Sequence, residues 1–169
     1  MKHRRIHEHA LQVLEYEQVL GILAGFASCD LGRDRARQLY PSTDPHWIKC
    51  RIAETSELKA LLDEGLRIPL AGLRNIVPIL KHIDTRQTLY EPEELIDISD
   101  TLAASARLKQ FFSDLDPSCN AHLLQFAPKL SDCETLVQRI NTCIDGRVGV
   151  RDNASDKLQA IRRHMQTLE

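Results

Sequence analysis

Apolar residues recur at three- and four-residue intervals along most of the chain, the period of an amphipathic helix. In LEYEQVLGILAGFA, from Leu14 to Ala27, that period carries Tyr16, Val19, Leu20, Leu23 and Phe26 or Ala27. Gly21 and Gly25 lower its helix propensity and leave room for a neighbour to approach. Ser28 and Asp30 are cap residues for a second helix, LGRDRARQL, which Pro41 and Ser42 end. Asp44 followed by Pro45 joins a cap to a first-turn proline, and predicts a long helix that runs to Gly65. Its expected buried face is Ile48, Ile52, Thr55, Leu58, Leu61 and Leu62.

Pro69 and Gly72 then interrupt the period, so a short extended link or single turn is expected between Gly65 and Leu73. Helix resumes near Asn75 and continues to Ile83, and a turn over DTRQTLYEPEE leads to the clearest long helix, ELIDISDTLAASARLKQFFSDL. Pro92 falls in its first turn, with Glu91, Glu93 and Glu94 at the positive end of the helix dipole. Leu95, Ile98, Leu102, Ala106, Leu108 or Lys109, and Phe112 follow its buried face. HLLQFAPKL is a shorter helix, and Ser131 with Glu134 forms a capping box that opens another through Leu136, Val137, Ile140 and Cys143 or Ile144. In DGRVGVRDNAS, Val148 and Val150 flank Gly149 and predict a two- or three-residue extended piece. Asp152, Asn153 and Ser155 predict a turn and an N-cap. In the last segment Leu158, Ile161, Met165 and Leu168 keep the three-four-three rhythm of a coiled-coil seam with no breaker after it. The expectation is a helix that continues in a longer protein.

Composition narrows the function without naming one. A chain of 169 residues suits one domain or at most two small ones. It is 43% hydrophobic and 27% charged, the balance of an ordinary globular protein. A formal charge of −2 argues against dominant attraction to phosphate or anionic lipid, although local patches can bind either. No apolar run reaches the length of a membrane span and MKHRRIHEHA leads into no signal-peptide core, so a cytoplasmic protein with no membrane partner is expected. The five cysteines, Cys29, Cys50, Cys119, Cys133 and Cys143, contain no CxxC pair, and predict free thiols with no metal framework. No GxxxxGK[ST] loop is present, so this chain alone should not hydrolyse nucleotide.

Two groups of side chains remain as candidates. His7, His9, Asp97 and Asp100 are the donors that a small hydrolase or metal-dependent nuclease would use, if the fold gathered them in one cleft. His3 and Glu8 join them only as part of a polar end. Arg33, Arg37, Arg67, Arg74, Arg162 and Arg163 are possible contacts to a phosphate backbone, because arginines held on rigid helices can position one. Only their directions in space decide between that and a solvated surface.

Six motifs in this order carry a family resemblance: LEYEQVLGILAGFA, LGRDRA, the D-P-x-x-I and ETSE pattern from Asp44 to Glu57, IPLAGLRNI, L-x-EPEELIDISDTL, and GRVGVRDNAS followed by DKLQAIRR. Over essentially its whole length the chain resembles the N-terminal segment of the MutS-related proteins of bacteria, in the second branch, which lacks the mismatch-reading domain and ends in an Smr nuclease domain. It departs at Ala71, Asn75 and Glu91, where that branch usually has glycine, aspartate and Ser or Thr. The resemblance implies an all-α fold, an irregular helical bundle like the MutS core or lever domain, ending at the start of a long clamp helix. It implies residues 1–144 as core, 145–155 as joint and 156–169 as the first turns of the clamp coiled coil. Gly146, Val148, Gly149, Val150 and Ser155 are then the joint or hinge residues, with Val148 and Val150 anchored on the core and the helix from Ser155 leaving it. Full-length members are implied to be homodimeric ATPases and endonucleases, using ATP and Mg at sites outside this chain. They are implied to bind DNA, mismatched DNA included, and ribosomal RNA, to suppress homologous recombination, and to sense and split collided ribosomes. This chain would be their mechanical and binding scaffold, with no catalytic, cofactor or metal site of its own. The alternative is a helical protein–protein interaction module with no nucleic-acid role.

Overall fold

The computed structural model describes residues 8–83, 89–146 and 149–167, with backbone only at His82 and Ile83. Among these residues the chain is all-α and irregular, with one two-stranded ribbon. The helices are α1 (Glu8–Val13), α2 (Tyr16–Gly25), α3 (Asp30–Arg37), α4 (Pro45–Asp63), α5 (Val77–Ile83), α6 (Pro92–Ser113), α7 (Ala121–Leu124), α8 (Glu134–Cys143) and α9 (Asp156–Gln166). A 3-10 turn over Ala127–Lys129 follows α7, and strands β1 (Ile144–Asp145) and β2 (Gly149–Val150) separate α8 from α9. Two compact units divide the chain: Met1–Leu70 with Gln110–Lys129, and Ala71–Lys109 with Leu130–Glu169. None of the described helices is long and apolar enough to cross a membrane.

In the first unit, α1 and α2 are separate helices because the backbone turns at Glu15, where φ is 50°. α2 packs on α3, and the side chains covered are Leu20, Ala24 and Ala36. The apolar face expected of α2 is therefore rotated. Val19, Leu23 and Phe26 are exposed, Phe26 by 83%. Gly21 and Gly25 have nothing within 4 Å of where a side chain would stand, so neither serves a close approach among the described residues.

α4 starts as its sequence predicts. The Asp44 carboxylate accepts hydrogen bonds from the backbone N–H of His46 and Trp47, at 2.9 and 3.3 Å, and Pro45 holds the first turn. Such a cap contributes about 1 kcal/mol. The helix ends where Gly65 turns left-handed at φ 85° and Leu66 N–H returns to the Leu61 carbonyl, a closing geometry in which glycine avoids a side-chain clash. Its buried face differs from the sequence expectation. Leu61 is buried as expected and Ile48 and Leu58 are half-buried, but Ile52 is 60% and Leu62 50% exposed, Thr55 is exposed as well, and Glu54 is buried instead.

The reason is α7, which packs on α4. α7 is too short to be stable in isolation, and its first N–H groups need acceptors. Asn120, in the N-cap position, makes no side-chain cap, because its amide donates to the Asp116 carbonyl instead. Glu57 of α4 supplies what Asn120 does not. Its carboxylate accepts from His122 N–H and Leu123 N–H, at 3.1 and 3.0 Å to one oxygen, and pairs with His122 Nδ1 at 2.6 Å. One turn earlier, Glu54 accepts from Gln125 Nε2 at 3.1 Å and pairs with Arg51. Two carboxylates thus turn the ETSE face of α4 toward α7, and the isoleucine beside them is left outside. Phe112, from the end of α6, packs at 5.9 Å from Phe126.

The second unit has a core of Ile98, Ile140 and Ile144, with Ile76, Ile79, Leu95, Ile96, Leu102 and Cys143 packed around it. The IPLAGLRNI motif continues into this unit as a loop fastened to α6. Arg107 donates to the Ala71 carbonyl at 2.6 Å, and Arg74 N–H donates to Thr101 Oγ1 at 3.1 Å. Between them Gly72 takes φ 90°. α6 itself begins at Pro92 as expected, and Glu94 reaches back to the Glu91 N–H. The turn expected before it lies partly outside the described residues, at 84–88. α8 begins at Glu134 with Cys133 at its N-cap and no side-chain cap. The Ser131–Glu134 capping box does not form: the Ser131 carbonyl accepts from Ser105 of α6, and Asp132 takes the Glu134 N–H. Fastening Ser131 to α6 delays the helix by two residues.

Candidate joint and arginine sites

The segment from Ile144 to Ser155 is a short antiparallel ribbon followed by a capped helix. Ile144 pairs with Val150 and Asp145 with Gly149. Gly146, at φ 57°, begins the turn, while Arg147 and Val148 lie outside the described residues, so the expected anchoring of Val148 is outside them too. Val150 is held differently from the expectation. Its side chain is 41% exposed, and main-chain pairing fixes it rather than side-chain burial.

Two arginines brace the ribbon from opposite ends. Arg151 N–H donates to the Cys143 carbonyl at 2.8 Å, and its Nε to the Ile144 carbonyl at 3.0 Å, which satisfies the open C-terminal end of α8. From α9, Arg162 reaches back to the Val150 carbonyl at 3.1 Å and pairs with the Asp152 carboxylate. Ser155 caps α9 by accepting from Leu158 N–H at 3.2 Å, as the sequence predicts. Beyond the cap, Ile161 is 48% and Met165 60% exposed, Leu158 is half-buried, and Leu168 lies outside the described residues.

Removing the α9 brace has a measurable consequence. Arg162→Ala deletes one exposed ion pair and one hydrogen bond, together worth about 0.5–1 kcal/mol. Amide exchange of α9 should quicken several-fold while that of α8 is unchanged, as read by hydrogen-exchange mass spectrometry. Equal protection of α9 in the variant would show that Arg162 braces nothing.

The six candidate phosphate contacts are divided between the units: Arg33, Arg37 and Arg67 in the first, Arg74, Arg162 and Arg163 in the second. Arg33 is committed to Asp30 and to the Ala27 carbonyl, and Arg162 to the joint. Arg37 stands 3.9 Å from Asp34, and Arg74 the same distance from Asp97, both with exposed guanidinium groups. Arg67 and Arg163 are exposed. α3 sets Arg33 and Arg37 one turn apart, and α9 sets Arg162 beside Arg163. Among the described residues no group of three or more His, Cys, Asp or Glu is placed to hold a metal ion. His9 is on α1, Asp97 and Asp100 are on α6, and His7 is outside the described residues. All five cysteines are free.

Sequence reasoning passed over Glu57, Arg107 and Arg151, the side chains that fasten α7, the Gly72 loop and the ribbon. The sequence offered only a pair of glutamates one turn apart on α4, and Asn120 before α7 reads as a cap residue, so nothing local marked Glu57 as the cap.

No protein-family model matches the chain. Curated relatives do match it, through both units, the ribbon and α9. The chain is 35% identical over 166 residues to endonuclease MutS2 of Geobacillus sp. (strain WCH70), 97% of its own length. It is 33% identical over 162 residues to endonuclease MutS2 of Symbiobacterium thermophilum, and 29% over 163 residues to that of Alkaliphilus oremlandii, 96% of its length each time. The chain is homologous to bacterial MutS2 proteins. In these three the match covers 20 or 21% of the relative, so the chain spans about a fifth of the length of the MutS2 proteins it resembles. The homology with MutS2 therefore concerns one helical segment, and the remaining four-fifths of a MutS2 protein has no counterpart in these residues.

Proposed function

We propose that this chain is the N-terminal helical core of a MutS2-like protein and works there as a mechanical and binding scaffold. Residues 1–144 form the lever-like core, 145–155 the joint, and 156–169 the first turns of a clamp helix. One observation carries this reading: in a chain homologous to MutS2 along its length, a braced ribbon is followed at once by a capped helix whose apolar positions Ile161 and Met165 face solvent. Packed helices transmit displacement with little internal compliance. The joint passes that displacement to α9, with Gly146, Gly149, Val150 and Ser155 setting its direction. Val148, which lies outside the described residues, is assigned to the joint from the sequence alone.

In the longer protein, ATP with Mg and the endonuclease belong to the remaining four-fifths, and no residue of this chain is assigned to either. The whole protein acts in the cytoplasm as a homodimer that binds DNA, suppresses homologous recombination, and senses and splits collided ribosomes. Arg37, Arg67, Arg74 and Arg163 contact phosphate, while Arg33 is spent on Asp30 and the Ala27 carbonyl and Arg162 on Asp152 and the Val150 carbonyl.

Titration with duplex DNA and structured RNA at two salt concentrations tests the phosphate role. Binding by this chain should be weak and lose about 0.9 log units in affinity per contact for each tenfold rise in salt. Replacing Arg37, Arg67, Arg74 and Arg163 with alanine removes four contacts and should flatten that slope by about 3.6 log units per tenfold rise in salt. Tight, salt-insensitive binding, or a slope unchanged in the variant, would refute it. A second reading, a protein–protein interaction module, is favoured by the exposed stripe on α9. Micromolar dimerisation that L158E/M165E abolishes would select it.

A further inference from the structure

The first unit contains an open groove of about 780 Å³, apart from the joint, with Arg37 the one candidate phosphate contact in its lining. The corner between α1 and α2 makes one wall, and the chain leaving α3 makes the other. Leu20 is buried at its base, Leu11 is half-buried, and Leu39 and Tyr40 remain exposed along the side. The rim is acidic. Among the described residues, Glu8, Glu15 and Glu17 stand there with Arg37 as the cation of the lining, and Arg37 has Asp34 beside it. A volume of this size is in the range of sites that take a small ligand or a few residues of peptide.

Glu15 forms the lip of the groove at the corner between the two helices. Among the described residues it is the one non-glycine residue with positive φ, a conformation that costs an L residue about 1–2 kcal/mol. Glycine at this corner would relieve the strain, but it would remove a carboxylate from the lip of the groove. Backbone outliers of this kind collect at binding sites, where surrounding structure maintains them.

We propose that this groove binds a short basic segment of a protein partner. An apolar side chain of the segment rests on Leu11, Leu20 and Leu39, and its lysine or arginine side chains pair with Glu8, Glu15 and Glu17. Charge chooses the occupant: three carboxylates repel a phosphate backbone and an acidic peptide, and attract a cationic one. The inference does not depend on the MutS2 reading.

Fluorescence anisotropy with labelled eight-residue peptides tests it, using one of alternating Lys and Leu, one of alternating Glu and Leu, and one of alternating Lys and Ser. The Lys–Leu peptide should bind at least about tenfold more tightly than either other, since both charge and apolar contact are needed. E8Q/E15Q/E17Q should weaken it about five- to tenfold, and Leu39→Ser should weaken it comparably. These side chains are exposed, and far-UV circular dichroism verifies the fold; if the triple variant is unfolded, Leu39→Ser decides alone. Glu15→Gly should raise thermal stability and still weaken binding, a split that a purely structural Glu15 would not give. Equal binding of the Lys–Leu and Glu–Leu peptides, or unchanged Lys–Leu affinity in the folded variants, would each overturn the proposal.

Discussion

Glu57→Ala should lower the stability of the first unit by about 2 kcal/mol, because it removes an N-cap and a charge-assisted bond together. The apparent Tm should fall by roughly 4–8 °C for a chain of this size. The loss is larger than for a helix whose own cap residue is deleted. Asn120 makes no side-chain cap to α7, its amide being turned to donate to the Asp116 carbonyl, so Glu57 is the side chain that accepts from the His122 and Leu123 N–H groups. Hydrogen-exchange mass spectrometry locates the effect: amides of α7 and the adjoining 3-10 turn should lose protection, and those of α8 should not.

The same residue gives a pH signature. Partial burial alone would raise the Glu57 carboxyl, but the His122 ring, the Leu123 and His122 N–H groups and the charge of His122 together hold it below its ordinary value of 4.5. A carboxyl lowered by folding contributes stability that is fully present above its unfolded value and disappears as pH falls through the folded one. The native chain and Glu57→Gln should therefore differ most above pH 4.5 and converge below it. Parallel stability curves down to the lowest accessible pH would exclude the capping role.

Gly72→Val should cost the second unit about 3 kcal/mol, combining the penalty of a side chain at positive φ with overpacking. At φ 90° an added Cβ would meet the Asp100 carbonyl oxygen at 3.3 Å and Arg107 Nη2 at 3.5 Å. The first contact is backbone of α6 and cannot move aside cheaply. Arg107 would also be pressed away from the Ala71 carbonyl that it holds. Chemical denaturation should show a lower midpoint, and exchange should quicken in α6 and in the loop from Ala71 to Asn75. Gly72→Ala should give a smaller effect of the same sign. A neutral Gly72→Val would mean that this loop is not fastened to α6 as described.

What could be read from the chain alone follows the range of the interactions involved. Asp44 with Pro45, Gly65, Pro92 and Ser155 mark helix ends correctly because a cap acts on N–H or carbonyl groups within about four residues. The break between Gly65 and Leu73 and the short extended piece before α9 were legible for the same reason. Ser131 shows the limit. It has a capping-box spacing to Glu134, but its carbonyl is held by Ser105 of α6, 26 positions earlier, and the helix starts later.

The candidate sites divide along the same line. Sequence supplied the arginines and the joint, but not which arginines are spent on internal bonds. Arg162 is a possible phosphate contact or solvated surface by sequence, and is a brace because Asp152 and the Val150 carbonyl come within its reach. By itself, then, the sequence determined the helices, most of their boundaries and a short extended piece before the last one, since these depend on backbone groups close in the chain. Tertiary structure decided which faces of α2 and α4 are buried, that Glu15 turns the chain, and that Glu57 caps a helix 65 positions away. Those outcomes depend on acceptors and donors that become neighbours only when the chain has folded.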